Sequence, residues 1–506
     1  MTSGVVKSVV AFLLLAVFAL VVGSMAADGV KEAIVPAMIV AGIAALIFLG
    51  KNCWWLVFIV PPVISAVGFD VLQRMPIAYG FCGIVLLYWL VLSMMGYTRL
   101  TWNGVKGLDI MTLVLVLYFL STWVRNPVTI GAFTSIYDEG DAMVGGQDYI
   151  WCLAAVVFYL TLSIIPLKYE GCIRILKVVF WLSVLLSIIP MILYFVAPSK
   201  LAQNTISEGK EKVFAFSEMG TLLFKYVFAK YAIDVVIFSF SKFLIIILCL
   251  LSVALTGYRS SILTLLLYSF FVNIFHRRII LCLLFGCGIW GTVVLLSRYN
   301  FFDHFSYSVQ RSISAVPCVE LSDRGAVRNA EGSLEWRSQL WELGWNPNSG
   351  CIQNYMLGDG FSESMEEMER HYTLSIRGDI QHQEAKYYAE RGIWHHGGLN
   401  VIHRTGYVGL TLLFLWFIFM GGGAWRLCMY SRKYTGREYV YMNSVYMIVE
   451  MVLFYWYAGG WTIVYQSIFY KATVAKILYS VARKDGIIPP IMLNNRYVPM
   501  IMSKVT

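Results

Sequence analysis

The chain has 506 residues, 59% of them hydrophobic and only 14% charged, with a mean hydropathy of +0.69. Charged residues make up about a quarter of an ordinary soluble protein, so this composition excludes a water-soluble globular enzyme and points to a polytopic membrane protein. The formal charge of +9 sits mostly in short turns between apolar segments, where it reads as membrane topology and not as a nucleic-acid surface.

A crossing helix needs about 20 apolar residues. Candidate segments are centred on Ala16, Ala41, Val60, Leu86, Val116, Val156, Leu185, Leu223, Ile247, Leu267, Gly288, Leu415, Met447 and Val474, about 14 in all. Ahead of the first, Lys7 precedes an apolar run and Ser24-Met25-Ala26 has small-x-small spacing. The N-terminus therefore reads either as a retained span or as a cleavable signal, and neither changes the sidedness of the later segments. Segment 213–232 is the weakest, because it carries Glu218, Lys225 and Lys230. It is taken as a crossing because Lys7, Lys51, Arg99, Lys106, Lys168, Arg174, Lys177, Arg277, Arg278, Arg426, Arg432, Lys433, Arg437, Arg483 and Lys484 then share one side. That side is cytoplasmic, and both termini lie on it. Lys225 either snorkels inward or answers a buried carboxylate such as Glu218.

The expected fold class is all-α: a polytopic transmembrane helix bundle with one large extracytoplasmic loop capping a cavity on its outer face. The division is 1–297 for the first eleven helices, 298–403 for the loop, 404–482 for the last three helices and 483–506 for a cytoplasmic tail. A shorter outer loop, 125–148, brings Asp138, Glu139 and Asp141 to the same side, as ligands for sugar hydroxyls or as a solvated turn. Its glycines, Gly131, Gly140, Gly145 and Gly146, argue for irregular backbone.

The long loop holds 14 Asp and Glu against 9 Lys and Arg, a net of −5, which leaves +14 on the remainder. It also holds six of the seven histidines, and Trp336, Trp341, Trp345 and Trp394. Loops of this length are functional or disordered. The apolar spacing over 333–343 predicts a helix, and 364–377 reads as a second, polar one, so the loop is expected to be folded. Eight of the ten cysteines lie in or beside spans and show no metal spacing. The exceptions, Cys318 and Cys351, stand in the outer loop and form either a disulfide or two thiols.

Three features fall on the outer face. One is Arg259 within TGYRS at 256–260, between two apolar segments. The second is Arg337 to Trp341 leading to Gly358-Asp359-Gly360. The third is His395-His396, followed by nine residues and then Gly406-Tyr407-Val408-Gly409 at the head of a span. An arginine inside a bilayer faces a cavity or a partner unless it snorkels to the headgroups. Two guanidiniums offer planar, permanently charged donors to a diphosphate, and an imidazole titrating near neutrality can take a proton from an attacking hydroxyl. This set suits transfer from a diphosphate-activated donor and requires neither metal nor cofactor. The bland readings stand beside it: Arg337 as a surface cation paired with Glu331 or Glu335, the histidines as headgroup-interface residues, Gly406 and Gly409 as helix-packing positions. Trp341, Trp345 and Trp394 either stack on sugar rings or mark the membrane interface. His371, His382, His395, His396 and His403 with Glu384 lack H-E-x-x-H spacing, which argues against zinc. No phosphate-binding lysine loop and no G-x-G-x-x-G is present.

These elements, in this order, resemble signatures of the bacterial O-antigen ligase and polymerase superfamily. TGYRS resembles the S-x-S-R-G element, Arg337 with Trp341 and Gly358-x-Gly360 resembles the loop arginine segment, and His395-His396-x9-Gly406-x-x-Gly409 resembles the H-[N/S/Q]-x9-G-x-x-G signature. The likeness covers roughly 235–409 by motif, with the hydropathy plan in agreement. The departures are Thr256 and Tyr258 in place of serines, Ser260 in place of a glycine, and His396 in place of an amide or serine.

The resemblance implies a metal-independent inverting glycosyltransferase of the bacterial cytoplasmic membrane. Its donor would be a glycan on undecaprenyl diphosphate and its acceptor a saccharide or lipid-linked hydroxyl. Arg259 and Arg337 would grip the diphosphate and His395 would act as base, the spacing to the glycines favouring it over His396. Polymerase, ligase and protein O-oligosaccharyltransferase all need this same machinery. A polysaccharide-lipid flippase is the rival, for which polar residues in two matched, broken halves would be expected.

Overall fold

The computed structural model describes residues 48–60, 77–126, 147–196, 215–254, 259–305, 307–314, 316–319, 321–322, 324–361, 385, 388–389, 392–431, 436–456 and 460–489. Among these residues the chain is helical, with no strand. The longer helices are α1 Ile77–Met94, α2 Lys106–Arg125, α3 Gln147–Ile164, α4 Tyr169–Val196, α5 Ala215–Lys230, α6 Phe240–Ala254, α7 Arg259–His276 and α8 Ile279–Arg298. After these come α9 Tyr307–Ile313, α10 Arg324–Trp345, α11 Gly397–Tyr430, α12 Arg437–Leu453 and α13 Phe469–Lys484. The first two candidate spans, most of the 125–148 turn and the polar helix read over 364–377 lie outside the described residues.

Among the described residues, four helices are long and apolar enough to cross a membrane: Lys106–Arg125, Tyr169–Ile188, Ile279–Arg298 and Gly397–Tyr430. Shorter apolar helices accompany them at Phe81–Met94, Asp148–Ile164, Phe240–Ala254 and Ser260–His276. On α8 the side chains of Ile280, Leu283, Leu284 and Leu295 are exposed, as are Leu113 and Leu117 on α2 and Leu248 on α6. Apolar surface of this extent is compatible with a hydrocarbon surrounding.

The basic turns are tied to other elements: Tyr169 N–H donates to Asp485 at 3.0 Å, Arg278 pairs with Asp234 at 3.3 Å, and Arg426 reaches the Tyr479 hydroxyl at 3.5 Å. Between α8 and α11 the described residues include α9, which packs on α6 and α10, and α10, which packs on α11. Helix α5, the weak segment of the hydropathy reading, packs on α4, α6 and α12. Its Phe224, Val227 and Phe228 enter a core shared with Val445, Val449 and Leu453. Packing against apolar neighbours thus holds a helix whose own hydropathy is marginal.

Lys225 is buried in that packing. Its ammonium lies 3.1 Å from the centroid of the Tyr446 ring, and its charged neighbours are Lys471 and Glu450. The carboxylate near Lys225 is therefore Glu450 of α12 and not Glu218 of its own helix. Glu450 accepts from Lys471 Nζ at 2.9 and 2.8 Å and from the Ser467 hydroxyl at 2.9 and 3.0 Å.

Candidate functional site

Helix α10 contains the helix expected over 333–343 and begins further upstream. Its Trp336, Leu340 and Leu343 recur at helical spacing and pack with Ile352, Ala389, Trp394, Leu399 and Ile402 in a small separate core. This core fixes the cap to the first turns of α11. Trp341 donates its indole N–H to the carbonyl of Trp394 at 2.9 Å, and the Tyr355 hydroxyl donates to the Gly344 carbonyl at 2.9 Å.

The two adjacent histidines part company here. His396 is the N-cap of α11, its Nδ1 accepting from Leu399 N–H at 3.2 Å. Its ring lies 5.2 Å from Trp341, 5.9 Å from Trp345 and 6.1 Å from Tyr455. Burial lowers its pKa from 6.5, which keeps the cap in its neutral, accepting form. His395 has a left-handed backbone, φ 45°, a conformation uncommon outside glycine. Its ring lies 5.0 Å from Trp336 and 6.2 Å from Tyr388. Trp336 directly precedes Arg337, so the loop arginine segment and the histidine signature, nearly 60 residues apart, meet through one indole.

Arg337 is half-buried, and neither Glu331 nor Glu335, both exposed, forms an ion pair with it. Burial, and after it the nearby charge of Arg311, lowers its proton affinity; a guanidinium nonetheless stays charged. Arg311 comes from α9, whose Ser312 hydroxyl donates to the Ala254 carbonyl at 3.1 Å, at the end of α6. Five residues later Arg259 opens α7. Residues 255–258 and the Arg259 side chain lie outside the described residues, so the third member of the expected set is placed here by its backbone alone. Arg311 gave no signal in the sequence, because a lone arginine in a short amphipathic segment acquires meaning only from the helix packed against it.

The glycines lie where helix α11 and the loop before it approach one another closely. Helix α11 starts at Gly397, ahead of the boundary placed at 404, and Gly406 interrupts it with φ 68° and ψ −176°. Regular α-helical bonds would carry Tyr407 N–H to His403 and Val408 N–H to Arg404. Instead those amides donate to Tyr355 and Met356 carbonyls at 2.8 and 3.2 Å, while the His403 and Arg404 carbonyls accept from Asp359 and Gly360 amides at 2.7 and 3.1 Å. The loop is thus plugged into the break, satisfying all four freed groups.

Gly358, at φ 79°, lies against the backbone of Arg404 and Thr405, and Gly406 against Met356 and Leu357, leaving no space for a side chain at either position. A Cβ at Gly360 would meet Asn126 at 2.7 Å, and one at Gly409 would strike Thr405. The Asp359 carboxylate ties the loop internally, accepting from Gln353 and Asn354 amides at 2.9 and 2.7 Å. These glycines therefore build the site's frame and approach protein backbone.

Other expected contacts fall differently. Trp394 is fully buried and donates to His403 Nδ1 at 3.1 Å, which removes it as a sugar-stacking surface, whereas Trp345 is exposed. Cys318 and Cys351 are not joined: the first is exposed and the second buried. His371, His382 and Glu384 lie outside the described residues. Compared with known protein families and with curated proteins, the sequence matches none.

Proposed function

We propose that this chain is a bacterial membrane glycosyltransferase with about 14 crossings and cytoplasmic termini, its cap lying over an outer-face site. It moves a glycan from undecaprenyl diphosphate to a hydroxyl acceptor, as the resemblance to O-antigen ligases and polymerases implies. The observation that carries the reading is the contact of the His395 ring with Trp336, the residue before Arg337, which joins the histidine signature to the helix of the loop arginine, with Arg259 opening α7 five residues after the α6 end that Ser312 bonds.

In the proposed step, His395 takes the proton of the acceptor hydroxyl while its oxygen bonds to the anomeric carbon. The bond from that carbon to the diphosphate oxygen breaks, and the leaving diphosphate keeps the electron pair. Arg337 and Arg259 stabilise the charge growing there. Inversion at the anomeric carbon follows from a single displacement. Polymerisation onto a second lipid-linked glycan is slightly favoured over ligation to a lipid A core or to a protein hydroxyl, because it needs no lipopolysaccharide-bearing host.

One observation favours the rival transport reading: Lys225, Glu450 and Lys471 form a buried charged group inside the bundle. Purified protein reconstituted with a lipid-diphosphate glycan and competing acceptors separates the two. A product ladder on a gel means polymerisation and a single shift means ligation. Glycan lipid crossing the vesicle wall with no transfer would overturn the proposal.

A further inference from the structure

Two cations stand on neighbouring helices where the described residues supply no anion. Arg311 on α9 and Arg337 on α10 are charge neighbours on helices packed against one another. Neither forms an ion pair with a carboxylate among the described residues, although the surrounding loop carries a net negative charge. The Nε–H of Arg311 is enclosed and has no hydrogen-bond acceptor, and the indole N–H of Trp336, beside Arg337, is enclosed in the same state. Like charges held together and donors buried without acceptors are each unfavourable, and an anion with several oxygens relieves both.

The position of α9 explains why this pair matters for the site. Ser312, the next residue after Arg311, is bonded to the end of α6, five residues before Arg259. Helix α9 is thus the wedge between the segment that leads to Arg259 and the helix that carries Arg337.

We propose that Arg311 is a diphosphate-binding residue, gripping with Arg337 the two linked phosphates of the donor. This rests on the transferase reading for the identity of the donor, but the anion site itself does not. An isolated diphosphate has the same chemistry as the lipid-linked one, so the two sources must be separated by experiment.

The test uses full-length protein in lipid nanodiscs, with inorganic pyrophosphate and undecaprenyl diphosphate as separate probes, and four forms of the chain: wild type, R311Q, R311K and R311E. Wild type is expected to bind the lipid diphosphate more tightly than pyrophosphate. R311Q should weaken both at least tenfold, and R311K should retain an intermediate affinity. R311E should bind neither probe and yet melt no lower than wild type, because a carboxylate there pairs with Arg337; a purely structural arginine would show the opposite, a lowered melting temperature. In transfer assays R311K should raise KM for the donor more than it lowers kcat.

Unchanged diphosphate affinity in R311Q or R311E overturns the assignment of Arg311. Should R311Q fail to fold, R311K and R311E decide by the same criteria. Wild type that binds diphosphate through Arg311 but transfers no glycan would leave this site standing and remove the transferase reading, whereas transfer that is indifferent to Arg311 would do the reverse.

Discussion

Under the proposed function, Arg337 and His395 are where single side chains decide activity. Arginine presents a planar fork to two oxygens at once, and lysine a single ammonium. Arg337→Lys is therefore expected to lose most glycan transfer despite keeping its charge, read as product formed per minute; near-normal transfer would remove Arg337 from the diphosphate contact. The neighbouring histidines should separate cleanly. His395→Ala is expected to abolish transfer with the fold intact. His396→Ala should lower stability by about 1 kcal/mol through loss of a helix cap, with transfer reduced only in proportion to folded protein. Comparable, mild losses in both variants would assign both rings to structure.

The His396 cap also carries a pH signature. Its pKa in the folded state lies below the ordinary 6.5, so on acidification the unfolded chain takes up the proton first. The cap's contribution is whole above pH 6.5 and is withdrawn as the pH falls from there through the lowered value. Melting temperature measured from pH 7.5 down to 5 should fall more steeply for wild type than for His396→Asn, whose amide oxygen accepts the same Leu399 N–H without titrating.

Among the elements, the interrupted helix α11 and the loop 353–361 form one unit. Four backbone hydrogen bonds cross between them, and Gly358 and Gly406 make the approach possible. Gly406→Ala forces a side chain into left-handed backbone against the Met356 carbonyl, so a loss of about 1–3 kcal/mol from strain alone is expected, with the collision adding to it. The measurement is thermal unfolding in detergent, and an unchanged melting temperature would mean that the loop docks in some other way. The sequence pattern shows that these glycines matter. It does not show to what end, because a glycine serving ligand approach and one serving backbone approach are spelled alike.

At the scale of the whole molecule, buried charge and sidedness are the two properties open to test. Lys225, Glu450, Ser467 and Lys471 come from α5, α12, the turn of π-helix Val464–Ile468 and α13. Replacing Glu450 with glutamine would leave the buried Lys225 and the part-buried Lys471 without their carboxylate. A destabilisation of about 3–5 kcal/mol is expected, partly recovered in Glu450→Gln combined with Lys471→Met; recovery absent from the double variant would show that the pair is not coupled. For sidedness, Cys318 is exposed in the cap. A membrane-impermeant thiol reagent should label it in intact cells, and labelling only after lysis would invert the proposed topology.

Much of the architecture is written in local pattern. Hydropathy marks the apolar helices, and the spacing of Trp336, Leu340 and Leu343 announces α10. These are legible because periodicity and transfer energy belong to short stretches of chain. The sequence also singled out Arg337, His395, Gly358 and Gly406 by motif. What only tertiary packing decided is which groups meet: Arg311 beside Arg337, His396 spent on a helix cap, Trp394 sealed against His403, and Lys225 set among Glu450 and Lys471 rather than Glu218. Each joins different elements or divides neighbouring residues between tasks. No local periodicity encodes that, because it depends on how helices far apart in the chain are turned toward one another once their apolar faces are buried.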